Sequence, residues 1–475
     1  MTGFTHNFNP TILREYDIRG LVGKTLNVAD VYAVGRAFGT MVKRRGGSKV
    51  GLCYDGRYSS VEFSEAMTKG LNDSGIDVEN YGLNTTPVMY YAVYHLRDID
   101  GGIAITGSHN PSDYNGIKIM LRGGESVNGQ AIRDLGAMAA KGDIDSGTGT
   151  STNVDIDDAY IDRLVADYKS FNQKPLKIVW DAGNGVAGKL LPKFTSRLPG
   201  EHILLYADVD GDFPNHHPDP MVAKNLEDLK KAVLDHKADL GIAFDGDGDR
   251  IGAVDHNGES TLADQLITLY ARAVLSEKPG GKITFDVFCS KVTTDFVEKN
   301  GGEAVLTRTG CALIRPELKK MGALMGGELS GHIIFNDGFY GYDDGMYCAV
   351  RLLNVINQFG DLASQKKLFP QIFATPQMRF EVPDEEKFDM VDRAKQFVQQ
   401  NLESSARIVD IDGVRLITPD GWWILRASNK QNALTARVEG TTQAACDTLF
   451  AGLQKALKAA NIPTPDDLIN SASHH

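Results

Sequence analysis

A run of β-forming residues that ends on an aspartate occurs three times in this chain: VGLCYDGR at 50–57, KIVWDAGNG at 177–185 and KITFDVFCS at 282–290. Each is followed by a stretch that predicts a helix, and later by a second apolar strand that runs into an unusual loop. The loops are ITGSHNP (105–111), FDGDGDR (244–250) and GGELSGH (326–332). Short apolar runs alternating with helical segments specify α/β layers. The steps from Asp55 to Ser108, Asp181 to Asp245 and Asp286 to Glu328 are too uneven for a solenoid, and fit three related α/β domains. Parallel sheets bind ligands beyond the carboxyl ends of their strands, where each loop would sit.

The C-terminal part reads differently. Residues 385–402 predict an amphipathic helix with Phe388, Val391, Ala394 and Val398 on one face. Strand-like ARIVDIDG, VRLIT, GWWILRAS and ALTARVEG follow, and a closing helix carries Phe450, Leu453 and Leu457. Strands between two helices without βαβ alternation predict a smaller α+β domain. The expected domains are 1–152, 153–255, 256–370 and 371–475.

A chain of 475 residues exceeds what one hydrophobic core usually organises, which agrees with several domains. The net charge of −12 disfavours nucleic acid or an anionic membrane as the main partner. The 5 cysteines have no CxxC spacing, which suits reduced thiols in a cytosol better than a disulfide framework or a zinc site. No basic start leads into an apolar run at the N-terminus, and no apolar stretch is long enough to cross a bilayer. A cytoplasmic location is expected. The sequence sets no oligomeric state.

The loops carry the chemistry. In FDGDGDR, glycines let a tight turn bring Asp245, Asp247 and Asp249 inward, and three oxygen ligands from one loop suit a hard divalent ion such as Mg²⁺. An EF-hand fails, because its sixth position would be Arg250 where Gly is required and its twelfth would be His256 where Glu is required. A solvated acidic turn is the plainer alternative. In ITGSHNP, Ser108 follows an apolar strand in a Gly-containing turn, with a free hydroxyl and backbone amides for an anion. Ser108 and His109 form no hydrolase triad, since neighbours in a loop seldom face each other and no G-x-S-x-G elbow exists.

Three further segments complete the set. Lys118, between Ile117 and Ile119, is expected to be partly desolvated, which lowers its pKa and suits it to carry protons. Glu328, Ser330 and His332 alternate, so an extended loop would point all three one way, toward the hydroxyls of a sugar. Arg426, Ser428, Asn429 and Lys430 form a phosphate cradle at a strand end. Each segment has an ordinary surface reading as well: an exposed lysine, a polar turn, a charged hairpin tip. A phosphorylatable serine, a metal loop, a base, a polyol site and a distal phosphate site are, together, one chemistry.

REYDIRG (14–20), TGSHNP, NGIKI, DGDGDR, GELSGH, DDGMY (343–347) and RASN, in this order, resemble the α-D-phosphohexomutase superfamily, in particular its bacterial phosphomannomutase/phosphoglucomutase branch. The resemblance implies four domains around a central active-site cleft. It implies interconversion of hexose 1-phosphate and hexose 6-phosphate, mannose and/or glucose, through phospho-Ser108 and a hexose 1,6-bisphosphate that serves as intermediate and activator. Ser108, His109, Lys118 and Arg250 would be catalytic. Asp245, Asp247 and Asp249 would hold Mg²⁺ with a phosphoserine oxygen. Tyr16, Arg19, Cys311, Glu328, Ser330, His332, Arg426, Ser428, Asn429 and Lys430 would bind the phosphosugar. The competing readings are a metal-dependent sugar phosphatase and a catalytically silent phosphosugar-binding protein.

The chain departs from that pattern in the third domain. Relatives carry DVKC and KTGH where this sequence has DVFC and RTGC, so Phe288 stands in place of a substrate-contacting lysine and Cys311 in place of a histidine. Relatives also read FKER where this chain has FNDG (335–338), and a threonine in place of Lys430. Lys430 is therefore expected to take over a phosphate contact that Phe288 lacks.

Overall fold

The computed structural model describes residues 4–96, 98–171, 174–429 and 432–462, and contains four separate sheets. In each of the first three, the strand that ends on the recurrent aspartate lies in the middle. Lys49–Tyr54, Leu176–Asp181 and Lys282–Asp286 each pair in parallel with the next strand of their unit: Asp77–Leu83, Gly200–Leu205 and Glu303–Thr307. On the other side each pairs in parallel with the strand leading into the functional loop: Gly101–Ile105, Leu240–Phe244 and Met325–Gly327. That strand then pairs antiparallel with the strand leaving the loop. The three units are thus one topology repeated, and the loops after Ile105, Phe244 and Gly327 lie at carboxyl ends of parallel strands, as expected.

Each recurrent aspartate also organises a turn, that of a neighbouring strand for Asp55 and Asp286 and that of its own strand for Asp181. Asp55 accepts from Thr106 Oγ1 at 2.8 Å and from the Gly107 amide at 3.0 Å. Asp286 accepts from Thr309 Oγ1 at 3.1 Å, and Asp181 from the Gly183 amide at 2.8 Å. A buried carboxylate that satisfies neighbouring donors fixes those turns more firmly than apolar packing would.

The fourth sheet runs Phe373–Ala374, Ala433–Gly440, Gly421–Ala427, Val414–Thr418 and Arg407–Val409, with Met378–Glu381 also on Ala433–Gly440. All its pairings are antiparallel. The helices Lys387–Gln400 and Gln443–Ala459 pack beside it, which confirms the α+β reading. Val391, Ala394 and Val398 are buried as expected, but Phe388 is 55 % exposed. Phe388 lies in the first helical turn, with the Lys387 ammonium 5.3 Å from its ring centroid. Its place in the 3.6-residue period does not bring it onto the sheet.

The third and fourth domains are joined by an apolar cluster of Val287, Phe288, Ile417, Trp422 and Ile424. Arg415 stacks 3.8 Å from the Trp422 ring centroid and donates to the carbonyls of Val287 and Cys289. Phe288 is therefore interface packing, with its carbonyl held by Arg437 at 2.7 Å, and does not line the cleft. A lysine there would be desolvated among apolar side chains; the phosphate contact expected of Lys430 falls on a residue outside the described ones.

Candidate active site

Ser108 sits in the left-handed region, with φ of 49°, a conformation that costs a non-glycine residue about 1–3 kcal/mol. The surroundings hold it there. Its amide donates to Thr106 Oγ1 at 2.8 Å, and its carbonyl accepts from Arg57 Nη2 at 2.9 Å. Arg57, 1 % exposed, also donates to the carbonyls of Asn110, Pro111 and Tyr114, so one guanidinium gathers the whole loop. Gly107 has to be glycine, since a Cβ would come 2.4 Å from the Arg57 guanidinium. Arg19 donates to the Gly107 carbonyl at 3.1 Å and to Asn110 Oδ1 at 2.9 Å.

The fixed hydroxyl points at the acidic loop. Ser108 Oγ donates to Asp245 Oδ2 at 3.1 Å across the boundary of the first two sheets. Gly246 permits the approach, since a Cβ there would meet the Ser108 carbonyl at 2.4 Å. Asp245, Asp247 and Asp249 are all buried, with ligand oxygens within 4.8 Å of one another. Burial, then the charges of Asp247 and Asp249, push the Asp245 carboxyl well above the usual range. Asp247 Oδ1 and Asp249 Oδ1 are buried without a hydrogen-bond partner. Three desolvated carboxylates with unused oxygens fit a divalent cation held by oxygen ligands, with the serine oxygen beside them.

Lys118 reaches the same place from strand Tyr114–Leu121, 2.6 Å from Asp247 Oδ2 and 2.5 Å from Asp249 Oδ2. Burial works to lower its pKa, but the two carboxylates outweigh burial and raise it well above the ordinary lysine value. The expected lowering is therefore reversed. The sequence shows Ile117 and Ile119 beside Lys118 but not the aspartates more than a hundred residues away.

His109 Nδ1 lies 3.2 Å from Ser108 Oγ, so these neighbours do face each other, contrary to expectation. The left-handed turn at Ser108 brings them together. Arg250 is buried, its Nε donating to His332 Nε2 at 3.1 Å. Residues 328–332 are not extended. The Glu328 amide donates to the His332 carbonyl at 2.9 Å, closing a turn that places Glu328 and His332 on the cleft wall. Half-buried Ser330 is not among the lining residues. Glu328 accepts from the Gly310 amide at 2.5 Å, just before Cys311, which is 9 % exposed at the start of helix Cys311–Met321.

The fourth domain approaches through Tyr16. Arg426 Nη2 and Asn429 Nδ2 both donate to its phenolic oxygen, and Ser428 is buried beside them. Lys430 lies outside the described residues. The structure adds Asp17, Tyr90, Arg315 and Asp343 to the cleft wall. Arg315 pairs with Asp343 and stacks 4.1 Å from the Tyr90 ring centroid. An arginine on an otherwise apolar helix face, beside Ile314 and Leu318, was the signal for it.

Four consecutive matches follow the same division of the chain. They are to the phosphoglucomutase/phosphomannomutase alpha/beta/alpha domains I (residues 10–144), II (158–258) and III (263–372), and to the C-terminal domain (378–456). The chain belongs to the phosphoglucomutase/phosphomannomutase family. A phosphomannomutase/phosphoglucomutase of Pseudomonas putida is 42% identical over 91% of this chain and 92% of its own length. A phosphoglucomutase of Neisseria gonorrhoeae is 40% identical over 92% of this chain and 95% of its own. The crystal structure of a phosphoglucomutase/phosphomannomutase family protein from Burkholderia thailandensis superposes with a TM-score of 0.90 at 37% identity, covering 96% of this chain and 99% of that one. These likenesses make the chain an enzyme of the phosphohexomutase class. No helix among the described residues is long and apolar enough to cross a membrane.

Proposed function

We propose that this enzyme moves a phosphoryl group between O1 and O6 of glucose and mannose phosphates through phospho-Ser108, with a hexose 1,6-bisphosphate between the two transfers. The observation that carries this reading is the position of Ser108 Oγ, 3.1 Å from Asp245, in one cleft with Lys118, Arg250, Glu328 and His332. In the first transfer the P–O bond to Ser108 breaks and a P–O bond to the free sugar hydroxyl forms. Lys118 is protonated while its ammonium pairs with Asp247 and Asp249. With those carboxylates engaged by the cation it would be released to the neutral amine, take up the hydroxyl proton and later return it. After the bisphosphate reorients, Ser108 Oγ takes the other phosphoryl group, and the product leaves as the isomeric monophosphate.

Asp245, Asp247 and Asp249 are proposed to hold Mg²⁺, which neutralises charge on the oxygens of the transferring group. Arg250, fixed by His332, adds a buried positive charge at the same point. Glu328 reads sugar hydroxyls. Arg426, Ser428 and Asn429 hold the phosphate that does not react, with Tyr16 and Arg19 at the cleft. The domain limits near 152, 255 and 370 and a cytoplasmic location belong to the same proposal.

A coupled assay over a panel of hexose 1-phosphates tests it. Conversion of glucose 1-phosphate or mannose 1-phosphate to the 6-phosphate is expected. Release of inorganic phosphate alone would identify a phosphatase, and no turnover of any sugar would identify a binding protein.

A further inference from the structure

Cys311, His332 and Asp343 come together on the third-domain wall of the cleft, 9 %, 7 % and 1 % exposed. Their sulfur, imidazole nitrogen and carboxylate oxygen lie within 4.8 Å of one another. His332 Nδ1 is 2.8 Å from Asp343 Oδ2, yet neither atom has a neighbour in hydrogen-bond alignment. The other oxygen of Asp343 is taken by Arg315, which fixes the carboxylate with Oδ2 turned inward. Two buried polar atoms in contact but misaligned, with a thiol beside them, are arranged as ligands around a common centre.

Thiol, imidazole and carboxylate are a different donor set from three carboxylates. Hard Mg²⁺ takes oxygen ligands, whereas a thiolate with an imidazole selects Zn²⁺ and similar borderline-soft ions. We propose that Cys311, His332 and Asp343 form a second metal site that takes a thiophilic divalent cation such as Zn²⁺, and that its occupation inhibits the enzyme. The fourth position is open to water or to Asp249 Oδ1, which is itself without a hydrogen-bond partner and whose oxygen lies 3.5 Å from His332 Nδ1.

Binding displaces one proton, from the Cys311 thiol to solvent, because the thiolate is the ligand. His332 accepts from Arg250 at Nε2, which leaves its proton on Nδ1. Coordination through Nδ1 moves that proton to Nε2, and Arg250 Nε must then turn away. The cation therefore removes Arg250 and His332 from their working positions while leaving the Asp245 and Asp247 carboxylates untouched. That is the physical basis of the inhibition.

Co²⁺ is the probe, because only a sulfur ligand gives a thiolate-to-cobalt charge-transfer band and the three aspartates have none. Titrating the full chain with Co²⁺ in excess Mg²⁺ should produce this band, saturating at one equivalent. Cys311→Ser should lose the band and weaken the site at least about 100-fold, beyond the roughly 10- to 100-fold that a supporting residue is worth. The Zn²⁺ concentration that halves activity should rise by a similar factor in that variant. X-ray absorption of the cobalt-loaded wild-type chain, which needs no mutation, should show one sulfur among light ligands. An all-oxygen shell, a band that survives Cys311→Ser, or equal Zn²⁺ inhibition in both chains would overturn the proposal. Each outcome is independent of which sugar the enzyme prefers.

Discussion

The phenolic oxygen of Tyr16 accepts from Asn429 Nδ2 at 2.8 Å and donates to the carbonyl of Thr309 at 2.7 Å, so one side chain ties the first domain to the third and the fourth. Arg426 Nη2 reaches the same oxygen at 3.3 Å. Two members of the proposed phosphate cradle thus rest on a residue that itself lines the cleft. Tyr16→Phe removes the oxygen and leaves the ring. Two of its three hydrogen bonds are neutral and one comes from a guanidinium. Losing the equivalent of one neutral bond, about 0.5–1.5 kcal/mol, gives a rise in KM of about 2- to 10-fold, and the charged bond adds to it. The effect on kcat should be smaller. Steady-state kinetics on a hexose 1-phosphate decides it, and an unchanged KM would show that this junction does not shape the substrate site.

Asp412 completes the junction. Its Oδ2 accepts from Arg426 Nε at 2.7 Å and from the Thr309 amide at 2.8 Å, fixing the arginine proposed to bind phosphate against the third-domain loop. Asp412→Asn loses a charge-assisted pair of about 1.5–3 kcal/mol. The expected result is a KM raised about tenfold or more with kcat held within a few-fold, while Asp412→Glu recovers part of the loss. A fall in kcat at constant KM would contradict a positioning role.

Asp286 sets a pH dependence of stability. Burial, then the neighbouring Glu328 charge, push its carboxyl up to about 6, against an ordinary unfolded value of about 3.9. Between these values the folded state binds the extra proton, so stability falls as pH rises from about 4 through about 6. Asp286→Asn removes that slope. Above pH 7 the variant should be more stable than wild type, by an amount on the order of 1–3 kcal/mol, with the advantage shrinking toward pH 4. Denaturant titrations at pH 5 and pH 8 check the sign. A variant destabilised more at pH 8 than at pH 5 would refute it.

What the sequence made legible was whatever is local. The strand–aspartate recurrence carried the three-domain topology because period, length and a terminal carboxylate all lie within a few residues. The acidic cluster was equally plain, since Asp245, Asp247 and Asp249 share one turn. What failed depended on distant partners. The raised pKa of Lys118 comes from carboxylates in another domain, and the extended reading of 328–332 missed the turn closed by the Glu328 amide. Phe288 is buried by fourth-domain residues Ile417, Trp422 and Ile424, which no local pattern announces. Arg57 and Asp412 escaped notice for the same reason: their work is done on backbone and side-chain groups far along the chain.

Chelation tests the acidic cluster. Three buried carboxylates repel one another, and the single Lys118 ammonium beside Asp247 and Asp249 balances only part of their charge and leaves two oxygens unused. Exhaustive removal of divalent ions should abolish turnover, and Mg²⁺ should restore it. Activity that survives chelation would contradict the assignment of Asp245, Asp247 and Asp249.

The most direct measurement is on Ser108. Incubation with a hexose 1,6-bisphosphate, followed by peptide mass spectrometry, should find a single phosphate on Ser108. A chase with hexose 1-phosphate should transfer it to the sugar. Ser108→Ala should take up no phosphate and lose at least about 100-fold in turnover, as removal of a catalytic nucleophile does. Phosphate on another residue, or wild-type turnover in Ser108→Ala, would contradict the phosphoserine mechanism.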